Sequence, residues 1–452
     1  MTGIANTANS KGAVIVGAGL AGSEAAWQVA RRGVPCVLYE MRPGKTTPAH
    51  QTALFAELVC SNSLGSALPD RATGLLQEEM TRLESLVLTA ARATRVEAGG
   101  ALAVDRGAFA EFITEKIEAH PGITVIREEV TAIPEDRPTV LATGPLTSDT
   151  LCQDIIRVTG RETLAFYDAM APVINADSID MTICFKASRY DRGDSDEGDY
   201  INCPLDKDAY DRLVEALVSA DKAPLRDFET DDPNFFEGCL PVEELARRGH
   251  RTLAFGPLRP VGLTDPRTDR WPYAVIQLRR DNLAGTLYNM VGFQTNLTYG
   301  EQKRVFRLIP GLGNADFFRL GQMHRNTFIK APALLDSHLR LRSDPGVFIA
   351  GQLSGAEGYI GNVATGWLAG VNAARQIQKK SLVTLPLSTM SGALINYLVH
   401  SAPEDFQPMK ANFGLLPRPD PPVKGKRERY GVMSARALEA LEAVKRETWV
   451  DA

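Results

Sequence analysis

Residues 14–42 read VIVGAGLAGSEAAWQVARRGVPCVLYEMR, and this stretch decides the fold. Val14, Ile15 and Val16 form a β-branched run, and Gly17, Gly19 and Gly22 follow at the GxGxxG spacing. Ser23 to Arg32 then places Ala25, Ala26, Val29 and Ala30 on one helical face, with Gly33 positioned to stop the helix. Val37, Leu38 and Tyr39 make a second strand that ends at Glu40. The pattern predicts a βαβ unit.

Each glycine has its own work in such a unit. Gly17 permits the turn, Gly19 lets a pyrophosphate approach the backbone, and Gly22 lets helix and strand pack closely. With Ala18, Leu20 and Ala21 they present free amides at a helix N-terminus, where the dipole favours an anion. Glu40, about 20 residues on, suits a ribose hydroxyl, and Arg42 joins it in the predicted cofactor site. A neutral ribose partner fits FAD or NAD better than NADP.

The chain has 452 residues, 44% of them hydrophobic, enough for two to four folded domains. Its first thirteen residues lack the apolar run of a signal peptide, and no later segment has the length of a membrane span, so a cytoplasmic protein without membrane contact is expected. The six cysteines, at 36, 60, 152, 184, 203 and 239, form no CxxC pair, which excludes a disulfide framework and a zinc ribbon; no metal site is expected. A net charge of −5 gives no global reason for nucleic-acid binding. Local basic groups at Arg247, Arg248, His250 and Arg251, at Lys303, Arg304 and Arg307, and at Lys424, Lys426, Arg427 and Arg429 read as solvated surface charge.

Beyond the opening unit, Leu54, Phe55, Leu58 and Val59 have helical spacing, broken by Ser61, Asn62 and Ser63, with Cys60 at the junction. Thr73 to Ala93 predicts one amphipathic helix and Arg106 to Ala119 another, stopped by Pro121. Ile123 to Ile126 and Thr139 to Leu141 predict strands, and Gly144 after the second suits another backbone approach to a dinucleotide. Asp191 to Asp199 reads as an acidic loop rather than a calcium site, Tyr210 to Leu217 as a helix, and Thr252 to Phe255 and Tyr273 to Leu278 as strands. Val347 to Ala350 predicts a buried strand that runs into Gly351, Gly355 and Gly358 and a small-residue helix. Ser434 is a plausible N-cap for a final helix. Together these imply an α/β fold: a split nucleotide-binding domain, residues 1–165 and 306–452, with an inserted α+β domain at 166–305.

Longer strings add a resemblance. GAGLAGSEAA, LVCSNSLGS, FFEGCLPVEELARRG, GFQTNLTYGEQKRVF, MHRNTF, GQLSGAEGY and FQPMKANFGLLP span nearly the whole chain. Together they resemble the folate- and FAD-dependent tRNA (uracil-5-)-methyltransferase family, TrmFO. The related wobble-uridine flavoprotein MnmG carries a further helical C-terminal region, whereas this sequence ends soon after NFGLLP, which favours the methyltransferase.

The resemblance implies a Rossmann-type, glutathione-reductase-like FAD domain and a methyl transfer to C5 of the T-loop uridine of tRNA. The carbon comes from 5,10-methylenetetrahydrofolate, the electrons from reduced FAD, and NAD(P)H reloads the flavin. It adds Gly351, Gln352, Gly358 and Tyr359 to the cofactor site; beyond Tyr359 the pattern departs, and Gly361 and Asn362 stay outside it. Uridine C5 is a poor nucleophile until something adds at C6, and a thiolate is the natural choice. The family motifs assign Cys239 as that nucleophile and Cys60 as the base for the C5 proton.

Locally, Pro241 looks like the first residue of a helix whose dipole would favour the Cys239 thiolate, while Glu237, Glu243 and Glu244 act against it. Arg279, Arg280 and Lys303 to Arg307 are the basic residues available for phosphates, and the Tyr359 ring could stack on a flat heterocycle. No stable protein partner is predicted. Two other activities share the glycine signature: an MnmG-like enzyme acting on wobble uridine, and a small-molecule flavin oxidoreductase whose cysteines only pack.

Overall fold

The computed structural model describes residues 12–47, 49–135, 137–160, 164–191, 198–223 and 240–449. Ala13–Val16 is the middle strand of a five-stranded parallel sheet, buried along its whole length. Only residues apolar on both faces suit that position, because a parallel sheet is covered on both sides. Cys36–Tyr39 and then Ile123–Ile126 extend the sheet to one side; Thr139–Leu141 and Val347–Ile349 extend it to the other. The order therefore reverses beside Ala13–Val16, and a crevice opens at the carboxyl ends of the strands there.

Close approach explains the glycines of the opening turn. Gly17 has φ +95°, and a Cβ on it would lie 2.7 Å from the Ala142 carbonyl oxygen. A Cβ on Gly22 would run into the Gly17 carbonyl, so the tight helix-to-strand packing read from the sequence is present. The helix Leu20–Ala30 lies against the long helix Tyr359–Ile377, where Gly366 and Gly370 rest on the backbone of Ala21 and Ala25. The buried Trp367 indole donates to the Leu83 carbonyl (3.1 Å).

Four local expectations are corrected. Residues 54–59 form no helix: Glu57 accepts from the amides of Gln51 and Thr52, from the Thr52 hydroxyl and from Arg42 Nη1, and this polar knot overrides the helical spacing. Thr73 to Ala93 is two helices, Ala72–Arg82 and Leu86–Ala93, separated where Glu84 takes φ +56° and Ser85 caps the second by accepting from the Leu88 amide. Thr252–Phe255 is a helical turn rather than a strand. Ser434 lies inside the helix Lys426–Trp449 and donates to the Pro69 carbonyl, so it docks the helix instead of capping it.

A second apolar core sits under a six-stranded antiparallel sheet in the order Phe185–Ala187, Tyr200–Leu205, Ala274–Arg280, Leu287–Met290, Val173–Asn175 and Phe317–Arg319. The helix Lys207–Ser219 packs Tyr210, Leu213 and Leu217 into it. An antiparallel ribbon, Leu164–Ala169 with Met323–Phe328, joins this layer to the parallel sheet. Among the described residues no helix is long and apolar enough to cross a membrane, and no cluster of His, Cys, Asp or Glu is arranged to hold a metal ion.

Candidate active site

A cavity of about 420 Å³ occupies the crevice. It is lined by Gly17, Gly19, Leu20, Ala21, Glu40, Arg42, Cys60, Gly144, Gly351, Gln352, Gly358 and Tyr359, which brings residues from five separated stretches to one wall. Two predicted residues serve it from behind. Ala18 donates its amide to Glu40 (3.0 Å to Oε2), and Gly22 packs on Gly17. Cys239 lies outside the described residues, as does Glu237.

Two helix N-termini open on the cavity. In Leu20–Ala30 the first intrahelical bond runs from the Ser23 amide to Gly19, and in Tyr359–Ile377 from the Asn362 amide to Gly358. The amides before them are free of helical partners, so both ends carry partial positive charge. A Cβ on Gly19 or Gly144 would meet nothing within 4 Å, leaving room for a ligand against the backbone. Gly361 and Asn362, left out on sequence grounds, also line the cavity, and Asn362 Oδ1 is buried without a partner. Asn326, 3% exposed, lines the cavity with its own Oδ1 unpartnered.

Glu40 is held for one protonation state. Burial opposes its charge, but Arg42 outweighs burial by donating Nε (2.9 Å) and its amide (3.1 Å), and the carboxyl stays below its ordinary range. Arg42 is itself buried and also reaches Glu57 (3.2 Å) and the Thr52 carbonyl (3.1 Å). It braces the acid from within the wall.

Cys60 is half-buried, with its sulfur 3.9 Å from the Ala169 carbonyl oxygen. Its backbone is pinned on both sides. The Tyr359 hydroxyl oxygen accepts from the amides of Cys60 (2.9 Å) and Ser61 (3.0 Å), while Arg106 donates to the carbonyls of Leu58 and Cys60 and pairs with Asp281. Arg279 donates to Asn62 Oδ1 (2.9 Å) and Ser61 Oγ (2.6 Å). Arg279 is therefore a support for this segment rather than a phosphate contact, and Arg280 pairs with Glu97.

Cys36, Cys184 and Cys203 are buried thiols away from the cavity wall. Burial pushes the Cys36 thiol up to about 12. Cys184 and Cys203 face each other across neighbouring strands with sulfurs 3.4 Å apart, both buried. Glu243 is buried and accepts from the Thr295 hydroxyl and the Asn296 amide, and burial raises its pKa; Glu244 pairs with Lys222. Arg106, Arg279, Asp281 and Arg319 carry no motif of their own, since the partners that give them meaning lie up to 218 residues away.

A doubly wound sheet with a glycine turn, a carboxylate behind it and two helix ends on one crevice defines a dinucleotide-binding protein with a second, antiparallel unit. The family model for Glucose inhibited division protein A matches residues 12–381. A protein of Desulforudis audaxviator called methylenetetrahydrofolate-tRNA-(uracil-5-)-methyltransferase TrmFO is 56% identical over 439 residues, covering 96% of this chain and 98% of that protein. A Pelotomaculum thermopropionicum protein of the same name is 54% identical, covering 95% and 98%. The structure of Aquifex aeolicus GidA superposes with a TM-score of 0.68 at 15% identity, covering 97% of this chain and 75% of that one, and shares the fold. The chain belongs to the Glucose inhibited division protein A family and, within it, to the TrmFO methyltransferases.

Proposed function

We propose that this chain methylates C5 of the T-loop uridine of tRNA, with the methyl carbon from 5,10-methylenetetrahydrofolate, FAD bound in the crevice and NAD(P)H as the reductant. Once reduced by NAD(P)H, the bound FAD would supply the electrons for the transfer. Gly17, Gly19, Leu20 and Ala21 would hold its pyrophosphate on the first helix end, Glu40 its ribose, and Gly144, Gly351, Gln352, Gly358 and Tyr359 the remainder. The free amides at both helix ends and the open space at Gly19 and Gly144 support this fit. Residues 1–165 and the part of 306–452 beyond the edge strand Phe317–Arg319 form the cofactor side in this reading, and residues 166–305 with that strand face the tRNA. We place the enzyme in the cytoplasm, without a stable protein partner.

In this mechanism the Cys239 thiolate adds at C6 of the pyrimidine, which turns C5 into a nucleophile, and Cys60 takes the C5 proton once the carbon is attached. The observation that carries the reading is the presence of Cys60 on the wall of the same cavity as the glycine turn and both helix ends. The test is incubation of unmodified tRNA with methylenetetrahydrofolate and NAD(P)H, followed by mass spectrometry of the nucleosides. 5-Methyluridine is expected with the native protein and is lost in Cys239→Ala. Full methylation by that variant would end the assignment, and turnover of small molecules without RNA would favour the oxidoreductase.

A further inference from the structure

Three guanidiniums surround the Cys60 segment, and a single carboxylate answers them. Arg106 Nε lies 2.9 Å from Asp281 Oδ2. Arg279, 8% exposed, gives its hydrogen bonds to the neutral side chains of Asn62 and Ser61. Arg319, at the end of the edge strand Phe317–Arg319, has Nε and Nη2 buried without a hydrogen-bond partner. Among the described residues no other carboxylate forms an ion pair with any of the three.

Among the described residues, three positive charges and one negative leave an excess of two at a partly buried wall. Such an excess favours an anion within reach of it. Burial and the neighbouring Arg106 already draw the Arg319 pKa down to about 10. The other titratable groups nearby do not supply the anion. Burial drives the Tyr359 phenol upward so that it stays neutral, and the Tyr200 hydroxyl donates to the Ala98 carbonyl (2.8 Å). Glu97 is taken by Arg280. A further acid at this wall is the Cys60 thiol: Arg106 Nη2 lies 3.2 Å from the Cys60 carbonyl oxygen, Arg279 Nη2 lies 2.6 Å from Oγ of the adjoining Ser61, and the thiol is within electrostatic reach of Arg319.

We propose that Arg106, Arg279 and Arg319 form an electrostatic cradle that stabilises the Cys60 thiolate, with Asp281 setting how strongly it acts. Cys60 then stands ready to accept a proton: its S–H bond forms as the uridine C5–H bond breaks, and the electron pair of that bond passes into the pyrimidine enolate. The arginines are positioning residues in this scheme. The use of the thiolate rests on Cys60 acting as base, but its existence does not.

The experiment measures iodoacetamide labelling of Cys60 in the flavin-loaded protein, read from its peptide by mass spectrometry, over a pH series. Arg319→Gln is expected to move the labelling midpoint up by about one pH unit, with about tenfold slower labelling near neutrality, while Arg319→Lys stays close to the native profile. Asp281→Asn is expected to move the midpoint the other way, a sign reversal that loosened packing would not produce. An Arg319→Gln midpoint equal to the native one, in protein that keeps its FAD, overturns the proposal. If that variant does not fold, Asp281→Asn decides alone: a lower midpoint supports the cradle, and an unchanged or higher one overturns it. Methylation by Cys60→Ser is the separate test of the base. Full activity there removes the use of the thiolate but leaves the labelling result standing.

Discussion

Tyr359→Phe separates the two roles a tyrosine can have at this cavity. The ring remains, so stacking on a flat ligand is retained, but the acceptor of the Cys60 and Ser61 amides is lost. A buried amide deprived of its acceptor costs about 1–3 kcal/mol, and because Cys60 and Ser61 are half-buried, water recovers part of that. The pair should therefore cost about 2 kcal/mol in total, which for a chain of 452 residues lowers Tm by about 2 °C. Turnover should suffer more than stability, since displacing a reacting group by about 1 Å costs on the order of a hundredfold. The assay pairs thermal unfolding with methylation kinetics and flavin content. We expect bound FAD at the native level, unchanged KM for the folate and a kcat reduced at least tenfold. Native kcat and native Tm together would refute the reasoning, because the two amides would then need no acceptor.

Gly366→Ala places a Cβ against the Ala21 backbone in the contact between the two long helices, and neither backbone can yield without moving the glycine turn. A loss of about 3 kcal/mol with weakened FAD retention is expected from overpacking, measured by calorimetry and by absorbance after gel filtration. Glu79 is fully buried, and burial raises its pKa to about 7 although it accepts from Ser391 Oγ (2.7 Å) and the amides of Ser391 and Met390. Its folded pKa lies above the unfolded value, so its contribution is fully present below about pH 4.5 and is lost as pH rises through about 7, by about 3 kcal/mol. Unfolding of Glu79→Gln measured from pH 5 to about pH 8 should lack that decline, and a parallel decline in both proteins would refute it.

The parts of the molecule that were legible in the sequence are those where neighbours in space are neighbours in the chain. The turn at Gly17, Gly19 and Gly22 needed only local sterics, and the strands Ile123–Ile126 and Thr139–Leu141 stand where their apolar runs put them. Residues 54–59 misled because Glu57 gathers four donors that periodicity does not count. The cavity wall was readable because much of it is built from loop glycines. The surroundings of Cys60 were not, since Arg106 meets Asp281 across 175 positions and Arg279 meets Asn62 across 217. Arg279 read as available for a phosphate, but the antiparallel sheet turns it inward.

The placement of Val347–Ile349 has a consequence for how the molecule is made. Four of the five parallel strands leave the ribosome within the first 141 residues, but the fifth emerges some two hundred residues later, and until then the outer edge of Thr139–Leu141 has no strand beside it. Every strand of the six-stranded sheet lies between residues 173 and 319, so that layer has all its sequence in hand first. Nascent chains paused in this interval would expose a bare strand edge, the period in which a holding chaperone matters most.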